Sequence, residues 1–200
     1  MKKSLQRSFM TDSKGFTLVE VLIAMAIVGI VMGSIYSIFI SSNRSYRTQD
    51  SVADAQQRVR VGIDFIAHDL RLAGLDPLSV GAGIETAGAT NLRLTADIDL
   101  NGVIDTPLNQ ERITYDYDAP SRTLRRKLYE GTASESAWQP LIEDVSALTF
   151  TYRDSGGNVT GTPADVRMVD ISMTCQGTDA VGQPINRTLT ARVICRNLCM

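Results

Sequence analysis

Between Val21 and Asn43 the chain carries no charged residue, and Val, Ile, Leu, Met and Ala dominate the stretch. Extended back to Phe16, the apolar run holds one charge, Glu20. As a helix rising about 1.5 Å per residue, Phe16–Ile40 is about 37 Å long, enough to cross a hydrocarbon core of about 30 Å. Inside a bilayer the backbone must satisfy its own hydrogen bonds, so the run is expected to be helical there. The segment before it is basic, with Lys2, Lys3, Arg7 and Lys14 against Asp12, which places that end on the cytoplasmic side. No second run of this kind follows, so a single crossing is expected. The chain-wide averages hide all of this. A mean hydropathy of −0.03 and a net charge of −2, from 20 Lys+Arg and 22 Asp+Glu in 200 residues, describe an ordinary soluble domain. They exclude a polytopic membrane protein, a disordered tail and a collagen-like repeat, and they disfavour a general nucleic-acid binder, which is usually basic.

Three readings of this N-terminal region compete. A cleavable signal peptide needs about 7–15 apolar residues and then a small-x-small site. Here the run is longer, and its Ala-x-Ala, Ala24-Met25-Ala26, sits in the middle. A plain single-pass anchor leaves Glu20 unexplained, because a carboxylate in an apolar span is costly and is usually paired. The third reading rests on Lys14-Gly15-Phe16-Thr17-Leu18-Val19-Glu20. This junction resembles the cleavage and methylation site of type IV prepilins and of type II secretion pseudopilins. The resemblance implies that a membrane prepilin peptidase cuts between Gly15 and Phe16 and N-methylates Phe16. The new ammonium at Phe16 would then lie about 6 Å along the helix from Glu20. In a bundle of packed helices the Glu20 carboxylate can neutralise a neighbour's ammonium, since a paired charge is tolerated in a low dielectric where a lone one is not. Gly29, Gly33, Ser37 and Ser41 recur every fourth residue. They either form a close-packing face that begins with a GxxxG or reflect how common small residues are in membrane helices.

After Arg44 the pattern turns amphipathic. Val59, Ile63, Ile66, Leu70 and Ala73 form an apolar stripe, while Arg58, Arg60, Asp64, Asp69 and Arg71 mostly take other faces. Gly74 and Pro77 predict the stop. A helix from Phe16 to Gly74 is about 88 Å long, more than a domain of the remaining size can bury, so its apolar half is expected to project into a membrane or a helix bundle. His68 points away from the stripe and reads as a solvated or intersubunit residue. Further on, the spacing predicts strands at Asn91–Ala96, Arg112–Asp118, Thr123–Tyr129, Ala147–Arg153, Val166–Thr174 and Arg187–Cys195, forming one antiparallel sheet laid on the stripe. Asp69–Leu75, Trp138–Leu141 and Ala147–Tyr152 are similar to segments of PilW-like minor pilins. The resemblance implies an α+β type IV pilin fold: a cleaved leader over 1–15, a membrane or filament-core helix over 16–40, its amphipathic continuation over 41–75 and a β-rich head over 76–200.

Two further features bear on binding. Asp97-Ile98-Asp99-Leu100-Asn101-Gly102-Val103-Ile104-Asp105 resembles the start of an EF-hand-like Ca2+ loop, with oxygens from Asp97, Asp99, Asn101, Val103 and Asp105. Leu108 stands where the bidentate Glu belongs, and Glu111 could replace it only through a bulge. The alternative is a solvated Asx-rich turn. Of three cysteines, a Cys195–Cys199 disulfide is geometrically easy, whereas Cys175 and Cys195 fall at opposite ends of the expected hairpin, about 30 Å apart.

No HExxH, P-loop or GxSxG occurs, so no enzyme is expected. Removing the leader takes four cations and one acid, leaving 16 against 21 and a side-chain net charge of −5. That weakens a nucleic-acid reading of Arg125-Arg126-Lys127. The expectation is a minor pilin of a type IV pilus. Its implied partners are other major and minor pilins, prepilin peptidase, the inner-membrane assembly platform and membrane lipid. It would start as a single-pass inner-membrane protein with a periplasmic head and end at the cell surface. The alternatives are a J-type pseudopilin of type II secretion and a membrane-tethered adhesion or binding module.

Overall fold

A computed structural model describes residues 15–104 and 110–199. The chain divides into two compact units at Arg44/Ser45. One helix, α1, spans Leu18–Leu72. In the first unit its apolar side chains are exposed all round, Leu18, Ile30, Ile38 and Phe39 among them. This part is long and apolar enough to cross a membrane. Such a surface is stable only against lipid or other helices.

In the second unit α1 buries Ala55, Val59, Gly62, Ile63, Ile66, Ala67 and Leu70. The expected stripe is there, widened by small residues that let strands approach the helix axis. The helix stops where expected. Gly74 adopts φ 77°, the left-handed conformation that ends many helices, and its N–H donates to Thr95 O at 3.0 Å. The last carbonyls, which have no partner within a helix, accept from elsewhere: Asn197 Nδ2 donates to Arg71 O at 3.2 Å and Leu72 O at 3.3 Å.

The expected single sheet is two. Five antiparallel strands lie in chain order: β1 (Ile84–Ala87), β2 (Asn91–Thr95), β3 (Arg112–Asp118), β4 (Thr123–Leu128) and β5 (Gln139–Ile142). A second sheet holds β6 (Val145–Arg153), β7 (Met168–Thr178) and β8 (Pro184–Ile194). The six expected strands all appear. The four-residue β1 and β5 were not foreseen, being too short for a period-2 pattern to register. The break between sheets falls at Asp144, whose φ of 57° turns the chain out of β5 and into β6. Seam bonds then join the sheets: Val145 N to Arg122 O at 2.8 Å, Phe150 N to Ala89 O at 2.8 Å and Tyr152 Oη to Gly88 O at 2.8 Å.

Both inner faces pack on α1. Leu92, Leu94, Tyr115 and Leu124 of the first sheet and Leu148, Phe150, Val169, Ile171 and Met173 of the second join the helix stripe in one core. The core's polar intrusion is matched: the Tyr115 phenol donates to Asp69 Oδ2 at 2.5 Å, and burial beside that carboxylate pushes the phenol well above its usual range. The β7–β8 turn is tied to the helix by Thr178 N donating to Ser51 Oγ at 2.9 Å. On the solvent face, Asp170 lies between Arg192 and Arg153.

This geometry makes two outcomes testable. A Cβ at Gly74 would lie 2.2 Å from Leu198 Cδ2, whereas at Gly131, also left-handed with φ 80°, it would meet nothing within 4 Å. Gly131→Ala should therefore show the conformational cost alone, about 1 kcal/mol, and Gly74→Ala that cost plus overpacking, about 2–4 kcal/mol. Urea unfolding of the detergent-solubilised chain, followed by near-ultraviolet dichroism, separates them. The second concerns acid. Hydrogen bonds from Arg192 and Arg153 hold the Asp170 carboxyl at about 2. A depressed carboxylate contributes stability that is present above its unfolded value, about 3.9, and lost as pH falls towards 2. Asp170→Asn should thus flatten the fall of melting temperature between about pH 4 and 2, with the two proteins converging at the acid end.

Candidate functional site

The N-terminal site is built by the first turn of α1. Thr17 Oγ1 accepts from Glu20 N at 3.3 Å, while Glu20 Oε2 accepts from Thr17 N at 2.8 Å and from Thr17 Oγ1 at 2.9 Å. This is a reciprocal capping box, which satisfies two of the amides a helix start leaves without partners. The Thr-x-x-Glu spacing that signals it is present in the sequence, but matching Glu20 to an ammonium alone passes over Thr17. Both of Thr17's bonds fall on Oε2, so Oε1 has no partner among the described residues. One carboxylate can therefore stabilise its own helix start and still offer an oxygen to a cation. Gly15 and Phe16 immediately precede the box, and Phe16 is 88% exposed. A Cβ at Gly29 or Gly33 would meet nothing within 4 Å, so nothing among the described residues requires glycine there. Loss of a cap of this type costs about 1 kcal/mol. Thr17→Ala should raise the hydrogen-exchange rates of the Val19–Val21 amides about fivefold in micelles.

The second candidate lies in the loop after β2. The carboxylate oxygens of Asp97, Asp99 and Glu111 lie within 4.8 Å of one another, and Asp97 and Glu111 are fully buried. Asp97 accepts from the amides of Asn101 and Gly102, each at 3.1 Å. Glu111 Oε1 accepts from Ile98 N at 3.2 Å. Asn101 Oδ1 accepts from Val103 N at 2.7 Å, and Gly102 makes the turn with φ 80°. Glu111, just before β3, lies beside Asp97 and Asp99, where it could take the place that Leu108 occupies in the linear motif. The approach to β3 brings it in, where the loop spacing offered it only through a bulge. Asp105 and Leu108 lie outside the described residues. All the donors here are oxygens, the set that suits a hard divalent cation such as Ca2+ rather than zinc, so the cluster could bind a metal.

The remaining candidates resolve structurally. The expected Cys195–Cys199 bond is not formed; all three cysteines are free thiols. The short 3-10 turn Arg196–Cys199 brings the Cys199 thiol to Cys195 O, at 3.3 Å, instead of to the Cys195 sulfur. Burial pushes the Cys195 thiol up to about 12 and that of Cys175 to about 11, which suppresses the thiolate that exchange requires. In the basic cluster, Arg125 pairs with Asp116 at 2.7 Å and Lys127 with Glu135 at 2.6 Å. Both cations also sit over Trp138, at 4.5 and 4.6 Å. These charges are already matched within the chain. The His68 side chain is 72% exposed beside Asp69, away from the core as its place on the wheel implied.

Comparison with known proteins bears on the first site. Residues 10–36 match the model of the prokaryotic N-terminal methylation motif. The chain is also similar to the pilin-like protein PilA3 of Thermus thermophilus, 29% identical over 171 residues, covering 75% of this chain and 71% of that one.

Proposed function

Since the chain is a type IV pilin-like protein carrying a prepilin methylation motif, we propose that it is a minor pilin, a structural subunit that helps to initiate or extend a type IV pilus. The observation that carries this reading is the junction itself. Gly15 and Phe16 stand directly before a capped helix start whose acidic side chain, Glu20, keeps one oxygen without a partner among the described residues. In this proposal prepilin peptidase cuts between Gly15 and Phe16 and methylates the Phe16 amine. The subunit waits in the inner membrane with its second unit in the periplasm. It then enters a filament of pilins, where Glu20 meets the Phe16 ammonium of a neighbour and Gly29 and Gly33 admit a close helix. The assembly platform and membrane lipid are its other partners.

A J-type pseudopilin of type II secretion carries the same junction, and a tethered adhesion module would carry the same membrane helix. A mere tether, however, has no need of Gly15, Phe16 and Glu20 together. Deleting the gene separates the readings. Loss of surface pili with normal secretion is the expected result; intact pili with retained periplasmic substrates would assign the chain to secretion. The mature subunit should begin at N-methylated Phe16 by mass spectrometry. Glu20→Ala should be processed but fail to enter filaments, and normal assembly of that variant would refute the pairing role.

For the acidic loop the proposed ligand is Ca2+, held by Asp97, Asp99, Asn101 and Val103 with Glu111 in the closing position and Asp105 as a further ligand by its place in the motif. Millimolar Ca2+ should raise the melting temperature of the wild type but not of Asp97→Ala or Glu111→Gln. Equal melting curves with and without Ca2+ would leave an Asx-rich turn.

A further inference from the structure

Four segments far apart in the chain meet where α1 ends: the helix exit at 74–77, the entry to β1 at 81–84, a short 3-10 turn with its flanks at 162–167, and the last turn at Asn197 and Leu198. They border a cavity of about 790 Å³, within the range of roughly 300–1,000 Å³ typical of small-molecule sites. Leu75, Pro77, Ile84, Pro163 and Leu198 give it apolar walls. Two charged side chains line it, Asp76 and Arg167, and their surroundings differ. Asp76 accepts from the amides of Val80 and Gly81, each at 2.7 Å, and of Ala82 at 3.1 Å, so its charge is already answered by N–H dipoles. Arg167 is half-buried and has no acid partner among the described residues. Its Nη1 donates to Ala164 O and Val166 O, each at 2.8 Å. Neutral carbonyls thus fix the guanidinium without cancelling its charge, and among the described residues Nε and Nη2 have no acceptor.

Other arginines of this protein show what that pair of donors does. Arg125 holds Asp116 through Nε at 2.9 Å and Nη2 at 2.7 Å. Arg112 holds Glu85 through the same two nitrogens, at 3.0 and 2.6 Å, and Arg192 holds Asp170 likewise, at 2.5 and 2.9 Å. The Nε–Nη2 edge is a guanidinium's bidentate grip on a carboxylate, and in Arg167 it is unused beside a cavity. We propose that this cavity binds a small-molecule carboxylate with an apolar body, the carboxylate on Nε and Nη2 of Arg167 and the body against Leu75, Pro163 and Leu198. The Thr162 hydroxyl, which makes no capping bond to the turn it precedes, is a neutral donor on the same rim. An inorganic anion would leave the apolar walls in water, whereas the body of an organic acid covers them. Holding Nη1 in advance lowers the ordering cost of binding. The site is independent of the N-terminal junction, so it gives the second unit a binding function separate from assembly.

The test titrates the full chain, in neutral detergent micelles near neutral pH, with 3-phenylpropionate and with its uncharged isostere 3-phenylpropionamide. The acid should shift the Arg167 Nε–H and the Ala82 and Gly83 amide resonances saturably, and the amide should need a concentration about tenfold higher. Arg167→Gln should weaken the acid about tenfold. Arg167→Lys should do the same, because an ammonium keeps the charge but not the planar pair of donors. Ala82→Leu, which fills the cavity without altering the guanidinium, should abolish the response. Arg192→Gln, whose partner is Asp170, should leave it unchanged. Near-ultraviolet dichroism shows which variants are folded, and the isostere and Ala82→Leu decide the matter if the Arg167 variants are not. Absence of saturation in the wild type overturns the proposal. So does equal binding of the isostere, or a response that survives Arg167→Gln or Ala82→Leu. Saturation of the same resonances by inorganic phosphate at concentrations about tenfold below the acid would replace the organic carboxylate with free phosphate.

Discussion

The helix stripe running from Ala55 through Val59, Ile63 and Ile66 to Leu70 is the surface on which both sheets are assembled. Its residues are small or branched, so strands come close to the helix and each inward side chain meets several neighbours. Neither sheet has an apolar surface to cover except through this helix. A sheet with one apolar face must cover that face, and packing against a helix is one way to do so. The seam at Asp144 and the bonds across it follow from that requirement, because two sheets must share one narrow helical surface.

Carboxylates in this protein repeatedly capture backbone amides. Glu20 caps the start of α1. Asp76 accepts from Val80, Gly81 and Ala82 just past the helix end, and the Val80 bond is the main reason that its carboxyl titrates below the usual range. Asp97 and Glu111 do the same inside the β2–β3 loop. Each holds an irregular turn in a fixed conformation, where a buried amide without a partner would otherwise be costly. The N-terminal junction and the acidic loop are both of this kind.

Much of this was legible in the amino-acid order. The uncharged run, the Gly15-Phe16 junction with Glu20, the stripe, the Gly74–Pro77 stop and six strands rest on spacings of a few residues. The Thr17 cap is equally local, a Thr-x-x-Glu spacing. β1 and β5 could not be read, because four residues carry too little pattern. Glu111 was open to the sequence only through a bulge, because a strand pairing and not a loop spacing delivers it to Asp97 and Asp99. The Cys195–Cys199 expectation failed for a related reason: closeness along the chain said nothing about which atom of Cys195 the turn would present.

The sequence by itself therefore determined the elements and their apolar faces, since helix and strand periods and turn residues act through neighbours on the chain. It also determined the motif at the N-terminus, which is a local chemical string. The tertiary structure alone decided that the strands form two sheets, that Glu111 joins the acidic loop and that Arg167 lines a cavity bordered by four distant segments. Those outcomes depend on which distant surfaces pack together, and packing is a property of assembled shape and burial that a linear spacing does not carry.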